Sequence, residues 1–579
     1  MSKRDILRAL SRRRFIRNSV VAAAGAAVIP MTLSGCDDDE TPDFVPEGDF
    51  GFLQGVASFD PTQDRVILWT RYTQATNEAG NPTIFLDVAT DAIFTQLVAS
   101  ESVEIDMSSD YTVNVDVSNL NSNTKYYYRF RNELSGAMTV TGETQTLPAV
   151  GEATEVSMAV VSCANFQAGL FNVYGAVADS VADVVVHLGD YIYEYEVGGF
   201  GSNDLTSGLG RDHEPAGEIV SIDEYRQRYR QYRGDEQLQR AHQLKPFICV
   251  WDDHEITNDA FMDGAENHQP DEGDFETRKM NAIQVWHEYL PARVTDNAKI
   301  FRNFDFGGIA NLMMLDTRII GREEQLNYLN YFTESGLDVN AFGADWLNPN
   351  RTLLGSEQLT WLSNQMGSSN ASWQVLGSQV LMGKYQIPGE LLTLTAQIAS
   401  AGDATPELLA QYNAVVTELV TIKTRALQGD PTLTEEERAR VENVLPYNLD
   451  AWDGYPAERE AVFAAASGKK LISLAGDTHN AWYSRLSDAS GNKVGAEFAT
   501  ASVSSPGFES VFGTDPIVIR GFEIANNTLI DDLIHSDASR RGFLLVSFTS
   551  GNADASWQYV NTLATVDNST VVGNVASES

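Results

Sequence analysis

An all-β sandwich followed by an α/β domain is the fold class predicted from this chain, and three observations predict it. Over residues 51–148, short alternating or apolar runs are separated by Asn, Gly, Asp and Pro, with no convincing helix among them. Over residues 152–560, apolar strands alternate with longer amphipathic segments, the pattern of strands and crossover helices. Within that second part, three apolar runs end in acids and imidazoles: Gly189-Asp190-Tyr191-Ile192-Tyr193, Trp251-Asp252-Asp253-His254-Glu255 and Gly476-Asp477-Thr478-His479-Asn480. Such residues at buried strand ends grip a metal cluster from several directions, so an enzyme is expected rather than a binding module.

Taken in order, the first element is an address. Ser11-Arg12-Arg13-Arg14-Phe15-Ile16-Arg17 is a twin-arginine signal, and a small-residue apolar run from Val20 to Val28 follows it. That run is too short to span a bilayer, which needs about 20 apolar residues. Leu33-Ser34-Gly35-Cys36 is a lipobox, so residues 1–35 are expected to be removed and Cys36 lipidated. The twin-arginine export machinery is the partner this implies, and a periplasmic or cell-surface location with a lipid anchor is the destination. Residues 36–50, opening with Asp37-Asp38-Asp39-Glu40, form a flexible acidic tether.

The sandwich over 51–148 is of immunoglobulin or fibronectin type III kind, with strands at Val66–Thr70, Ile84–Ala89, Tyr111–Val117 and Lys125–Asn132. The aromatics of Tyr126-Tyr127-Tyr128-Arg129-Phe130 belong to its core. In the α/β domain, strands are expected at Val156–Ser162, Val184–Leu188, Phe247–Trp251, Ala310–Leu315, Gln374–Gly377, Leu471–Ala475 and Phe543–Thr549. Helices are expected at Asn172–Ser180 and near Arg278–Tyr289. Residues 383–458 are a helical insertion lacking strands, in which Thr434-Glu435-Glu436-Glu437 is a capping box.

Charge excludes one class of partner. Seven of the forty basic residues and one of the eighty acidic ones lie within 1–35, so the remaining chain carries 33 against 79, net −46. A surface this acidic repels phosphate backbones, and no nucleic-acid partner is expected. Of the three cysteines, Cys36 belongs to the lipobox and Cys249 sits in the apolar strand Phe247–Trp251 as a small core residue. Cys163 follows a strand; a Cys163–Cys249 disulfide is weighed below a ligand role for Cys163.

At the strand ends, Asp190 follows a glycine that permits close approach, and its two oxygens suit a carboxylate bridging two cations. Tyr193, three residues on, is either a phenolate ligand to ferric iron or a buried hydrogen-bonded tyrosine. One of Asp252 and Asp253 is expected as a ligand, with His254 reaching a phosphoryl oxygen or leaving group. Asp477 and His479, two apart, share a direction if extended. His187 lies inside its strand, in the core or just behind the ligands.

The ordered set Ser162-Cys163-Ala164-Asn165, Gly189-Asp190-Tyr191-Ile192-Tyr193, Trp251-Asp252-Asp253-His254-Glu255, Leu315-Asp316-Thr317-Arg318, Trp452-Asp453-Gly454-Tyr455 and Gly476-Asp477-Thr478-His479 resembles the PhoD-like alkaline phosphatases, of the calcineurin-like metallophosphatase superfamily. The resemblance covers essentially the whole mature chain, and the export signal and small β domain agree with it. It implies a two-sheet metallophosphatase domain flanked by helices, holding Fe³⁺ and Ca²⁺. Motif by motif, and with the related purple acid phosphatases as a guide, it implies Cys163, Asp190, Tyr193 and His479 at iron. Asp190 is then the bridge, Asp253 and Asp477 hold the second metal, and His254 faces the phosphate. Asn258 and Asp259 are further calcium candidates. Gln379 stands near where the purple enzymes supply another histidine, which argues against a di-zinc centre. Arg318 is either a bidentate phosphate donor or a structural partner of Asp316.

The function implied is an exported alkaline phosphatase acting on phosphomonoesters and also diesters. The alternatives are a phosphodiesterase or phospholipase-D-like hydrolase on the same site, or a surface lipoprotein with a degenerate catalytic domain.

Overall fold

The computed structural model describes residues 47–579, apart from 335 and 402–404. The twin-arginine segment, Cys36 and most of the tether lie outside the described residues.

The N-terminal part is a sandwich, but not a separate one. One of its sheets has the order Leu97–Glu104, Thr83–Ala89, Lys125–Arg131, Gly142–Gln145. The other comprises Val56–Phe59, Arg65–Arg71 and Thr112–Ser118. Alternation in Lys125–Arg131 turns Tyr126, Tyr128 and Phe130 inward onto Val66, Leu68, Val113 and Val115. The unexpected feature is Val56–Phe59, which pairs in parallel with Pro246–Cys249 through Ser58↔Pro246 and Phe59↔Phe247. Half of the sandwich is therefore the end of a nine-stranded sheet that runs into the second domain.

The reason is in Arg65–Arg71. Val66 and Leu68 face the sandwich core, while Ile67 and Trp69 join the core of the α/β domain. A strand buried on both faces reads as continuously apolar and needs a cover on each side. Trp69 donates Nε1–H to Glu288 O at 2.8 Å and lies under the Arg233 guanidinium, 4.2 Å from the ring centroid. Ion pairs seal the joint: Asp60 with Arg302 at 2.8 Å and Asp116 with Arg293 at 2.7 Å.

The second domain stacks two sheets. The nine-stranded sheet has the order Thr570–Glu578, Ala553–Val560, Gly542–Thr549, Glu155–Val161, Val184–His187, Pro246–Cys249, then the three sandwich strands. The seven-stranded sheet runs Arg302–Phe306, Ala310–Met314, Trp373–Gly377, Lys470–Ala475, Lys493–Ala499, Ala481–Ser487, Leu533–Asp537. In each sheet the central strands are parallel. Period-2 alternation sends Leu312, Val375, Ile472 and Leu474 between the sheets and Met313, Leu376, Leu471 and Ala475 outward. Each such fully buried aliphatic contributes about 1.5–3 kcal/mol. Helices Asn172–Asp179 and Glu236–Leu244 pack together and on the nine-stranded sheet.

Thr570–Glu578 lies beyond residue 560, so the sheet extends further than expected. The helix near Arg278 begins at Phe275, because Asp274 accepts from Thr277 N at 3.0 Å. The insertion is helical at Gly389–Ala401, Pro406–Leu427 and Glu435–Glu442, and the Thr434/Glu437 capping box is present. It does contain strands: Gln386–Pro388 and Val444–Pro446 form an antiparallel clasp at its base. Cys163 and Cys249 are both buried and free, so no disulfide joins them. Among the described residues no helix is long and apolar enough to cross a membrane.

Candidate metal centre

Because the central strands of both sheets are parallel, their C-terminal ends open on one edge, and the motif residues follow those ends. Cys163 follows Glu155–Val161, Asp190 follows Val184–His187, and Asp252–His254 follow Pro246–Cys249. Asp477 and His479 follow Lys470–Ala475 of the other sheet. Four of these residues hold left-handed backbone, with φ of 62° at Cys163, 55° at Asp190, 61° at Asp477 and 63° at His479. That conformation costs a non-glycine residue about 1–2 kcal/mol and is retained where it aims a side chain. Gly189 has φ 102°, and a Cβ there would lie 2.4 Å from the Cβ of Asp252. Its lack of a side chain is what lets the two strand ends meet.

The side chains form three overlapping triads, each with ligand atoms within 4.8 Å of one another: Cys163–Asp190–His479, Asp190–Asp253–His254 and Asp252–Asp253–Asp477. Asp190 belongs to the first and second, Asp253 to the second and third. Tyr193 joins the first, its hydroxyl 2.9 Å from Asp190 Oδ2, 3.2 Å from His479 Nε2 and 2.7 Å from Ser505 Oγ. All are buried, His479 being the most exposed at 7%.

Both imidazoles are oriented from behind. His479 donates Nδ1–H to Pro506 O at 2.8 Å, leaving Nε2 toward Tyr193. His254 Nδ1 lies 2.7 Å from Glu194 Oε2. The other Glu194 oxygen accepts from Asn258 N at 2.9 Å and Asn267 Nδ2 at 2.7 Å. Burial works against a charged His254, but Asp253, Asp190 and Glu194 override it and hold its pKa well above the usual histidine range. Glu255 brackets the site by accepting from the amides of Asp190, Tyr191 and Asp252 at 3.0, 2.6 and 2.8 Å. Burial lifts its carboxyl to about 7 while those amides pull it down.

The donor set fits cations. Asp190 Oδ1, Asp252 Oδ2 and Asn258 Oδ1 are buried with no hydrogen-bond partner. Burial pushes the Asp190 carboxyl well above the usual carboxylate range; His254 opposes this, and Asp253, Glu255 and Asp477 add to it. Burial likewise raises Asp252, against the pull of Arg318. Carboxylates that crowd one another this closely are what a bound cation relieves. The donors also divide by chemistry: thiol, phenol and imidazole at one end, oxygen alone at the other.

Several expected residues take other places. The Arg318 side chain is fully buried, and its guanidinium is committed to Asp252 at 2.5 Å, Asp450 at 2.9 Å and Asp477 at 3.3 Å. It offers no free fork for phosphate, and only its backbone amide meets Asp316, at 2.8 Å. Asn258 Nδ2 donates to Glu266 Oε2 at 3.2 Å, which leaves its buried Oδ1 as a candidate donor at the rim of the site; Asp259 N donates to Asp253 Oδ2 at 2.7 Å. Gln379 stitches strand ends by donating to Trp251 O and Leu315 O at 2.8 and 2.6 Å. His187 lies behind the ligands: Nδ1 accepts from Gly189 N at 3.3 Å, Nε2 meets Tyr174 Oη at 2.7 Å, and burial lowers its pKa to about 3. Asp453 of the Trp-Asp-Gly-Tyr motif is a bracket for the insertion, accepting from Tyr385 N and Arg459 Nη1 at 2.6 and 2.7 Å. Sequence reasoning missed Glu194, Asp450 and Ser505. Glu194 directly follows Tyr193, so its place beside the motif was the only available signal.

Two stacked sheets with such residues at the edge define a metallophosphatase-type domain. A structure of purple acid phosphatase from yellow lupin (Lupinus luteus) shares this fold, with a TM-score of 0.52 and 12% identity over 90% of this chain and 73% of that one. The chain belongs to the PhoD-like phosphatases: that family's model matches residues 158–557, and the model of its N-terminal domain matches 40–148. It is 32% identical to alkaline phosphatase D of Bacillus subtilis (strain 168) over 520 residues, 86% of this chain and 76% of that one. A solved structure of PhoD superposes with a TM-score of 0.70 and 27% identity, covering 93% of this chain and 91% of that one. The chain is a phosphoric ester hydrolase of alkaline phosphatase type.

Proposed function

We propose that this phosphatase is exported and releases phosphate from monoesters and diesters at a centre holding Fe³⁺ and Ca²⁺. The observation that carries it is the pair of donor sets meeting at Asp190. Cys163, Tyr193, Asp190 and His479 suit ferric iron, and Asp190, Asp253 and Asp477, with Asp252 beside them, suit calcium. When bound, these cations would supply Lewis acidity and neutralise charge developing on the phosphoryl and leaving-group oxygens. His254, oriented by Glu194, holds a proton at Nε2 for the leaving alkoxide. Arg318 balances carboxylate charge instead of gripping substrate. The complete, converging ligand set argues against a degenerate catalytic domain.

Tyr193→Phe tests the iron side. Phenolate-to-ferric charge transfer colours a protein, so the iron-loaded native chain is expected to be purple. The variant should lose that visible band while keeping its far-ultraviolet circular dichroism. A native protein with full iron and full activity but no colour would remove Tyr193 from the ligand set.

The proposed export rests on Arg12 and Arg13, and the proposed lipid anchor on Cys36. Cys36→Ser is expected to move active enzyme from the membrane fraction to the soluble fraction. An unchanged membrane fraction would sink the lipid anchor.

A further inference from the structure

The strand Lys493–Ala499 is followed by a serine-rich turn that crosses from the seven-stranded sheet to the nine-stranded one. Val503 N donates to Ser162 O at 2.9 Å, and the amides of Ser504 and Ser505 both approach Cys163 O, at 3.4 and 3.3 Å. The turn thus grips the strained Cys163 backbone and places Ser505, which is fully buried, at the thiol–phenol end of the centre. Its Oγ lies 2.7 Å from Tyr193 Oη and 2.9 Å from Cys163 O.

One hydroxyl has one proton to give. Cys163 O already has two amides near it, whereas among the described residues Tyr193 Oη meets Ser505, Asp190 and His479. Asp190 carries no proton as a cation-bridging carboxylate, and His479 directs its own proton to Pro506 O. A metal-bound phenolate would therefore have a single donor nearby. A charged acceptor draws a hydrogen bond about twice as strongly as a neutral carbonyl.

We propose that Ser505 is a positioning residue for the centre: it donates to the Tyr193 oxygen, fixes the ring's approach and tempers the charge that oxygen gives to iron. The inference rests on the Tyr193–iron reading above. Outer hydrogen bonds of this kind orient ligands and tune the metal. Removing the donor raises the filled phenolate orbital, so the charge-transfer band moves to lower energy.

The test uses the iron-loaded full chain and its visible and resonance Raman spectra, with iron content measured alongside. Ser505→Ala is expected to keep its iron and shift the band measurably to longer wavelength, as loss of a charge-assisted hydrogen bond to the phenolate would. Ser504→Ala is the control, because that hydroxyl donates to Asn165 O at 2.7 Å and should leave the band in place. If Ser505→Ala folds poorly, Ser505→Thr and Ser505→Val replace it: they are close in size and differ by the hydroxyl, so only valine should shift the band. A band that stays put or moves to shorter wavelength in the variants lacking a hydroxyl overturns the role of Ser505 while leaving Tyr193 as a ligand. An iron-loaded native protein without the band overturns both.

Discussion

Asp190→Asn is expected to abolish hydrolysis of a chromogenic phosphomonoester, lowering kcat by more than about 10³-fold, beyond the 10²–10³ that loss of one electrostatic donor costs. Asp190 is the one carboxylate shared by the thiol–imidazole triad and the triad containing His254. Its loss would therefore be felt by both of the proposed metals. Asparagine is the sharper probe than alanine, because position 190 has φ 55°, which asparagine tolerates and alanine does not. The substitution leaves the amides of Asp190, Tyr191 and Asp252 on Glu255, so the strand end should hold its shape. Asp190→Asn should lose more activity than Asp253→Asn or Asp477→Asn, since neither of those reaches the Cys163 side. Retention of a tenth of native activity with full metal content would show that Asp190 is not the bridge.

What could be seen in the sequence follows from where the ligands sit. Cys163, Asp190, Asp253, Asp477 and His479 each come two to four residues after an apolar strand, and parallel strands deliver their ends to one edge. Local pattern was thus enough to single them out as candidates, and the family resemblance supplied their division between two metals. Glu194 and Asp450 act through contacts across 60 and 132 residues, to His254 and Arg318, and no spacing rule announces such pairs. Ser505 meets Tyr193 across 312 residues, from a turn with no motif of its own. Of the two readings open for Arg318, the structure favours a structural one, though with other carboxylates than Asp316. Its place in the sequence suggested a phosphate donor, but three buried carboxylates crowd it and take its hydrogen bonds first.

The sandwich was legible as strands and not as a boundary. Val56–Phe59 is four residues long, and its partner Pro246–Cys249 lies some 190 positions away. The clue was Ile67 and Trp69, apolar residues on the face a free-standing sandwich would turn to water. The three-residue clasp of Gln386–Pro388 and Val444–Pro446 gives no periodicity at all.

Calcium removal has the second large expected effect, because it reaches both activity and stability. Asp190, Asp252, Asp253 and Asp477 converge as buried side chains, faced by Arg318 and by His254. Two positive groups do not balance four carboxylates, and buried like charges repel strongly where solvent cannot screen them. Without the cation the cluster must take up protons or loosen. A calcium chelator is therefore expected to abolish activity and lower the melting temperature. Binding at a thousand times Kd adds about 4 kcal/mol to stability, and that increment should disappear. Calcium should restore both properties. Zinc should restore neither, since the ligands proposed for the second metal are all oxygens and Gln379 is occupied with strand carbonyls where a histidine would have favoured zinc. Asp477→Asn should weaken calcium binding while sparing the Tyr193 colour, because Asp477 lies in the oxygen-only triad and Tyr193 does not. Full activity after chelation, or recovery with zinc alone, would show that the oxygen-rich end of the centre holds another metal.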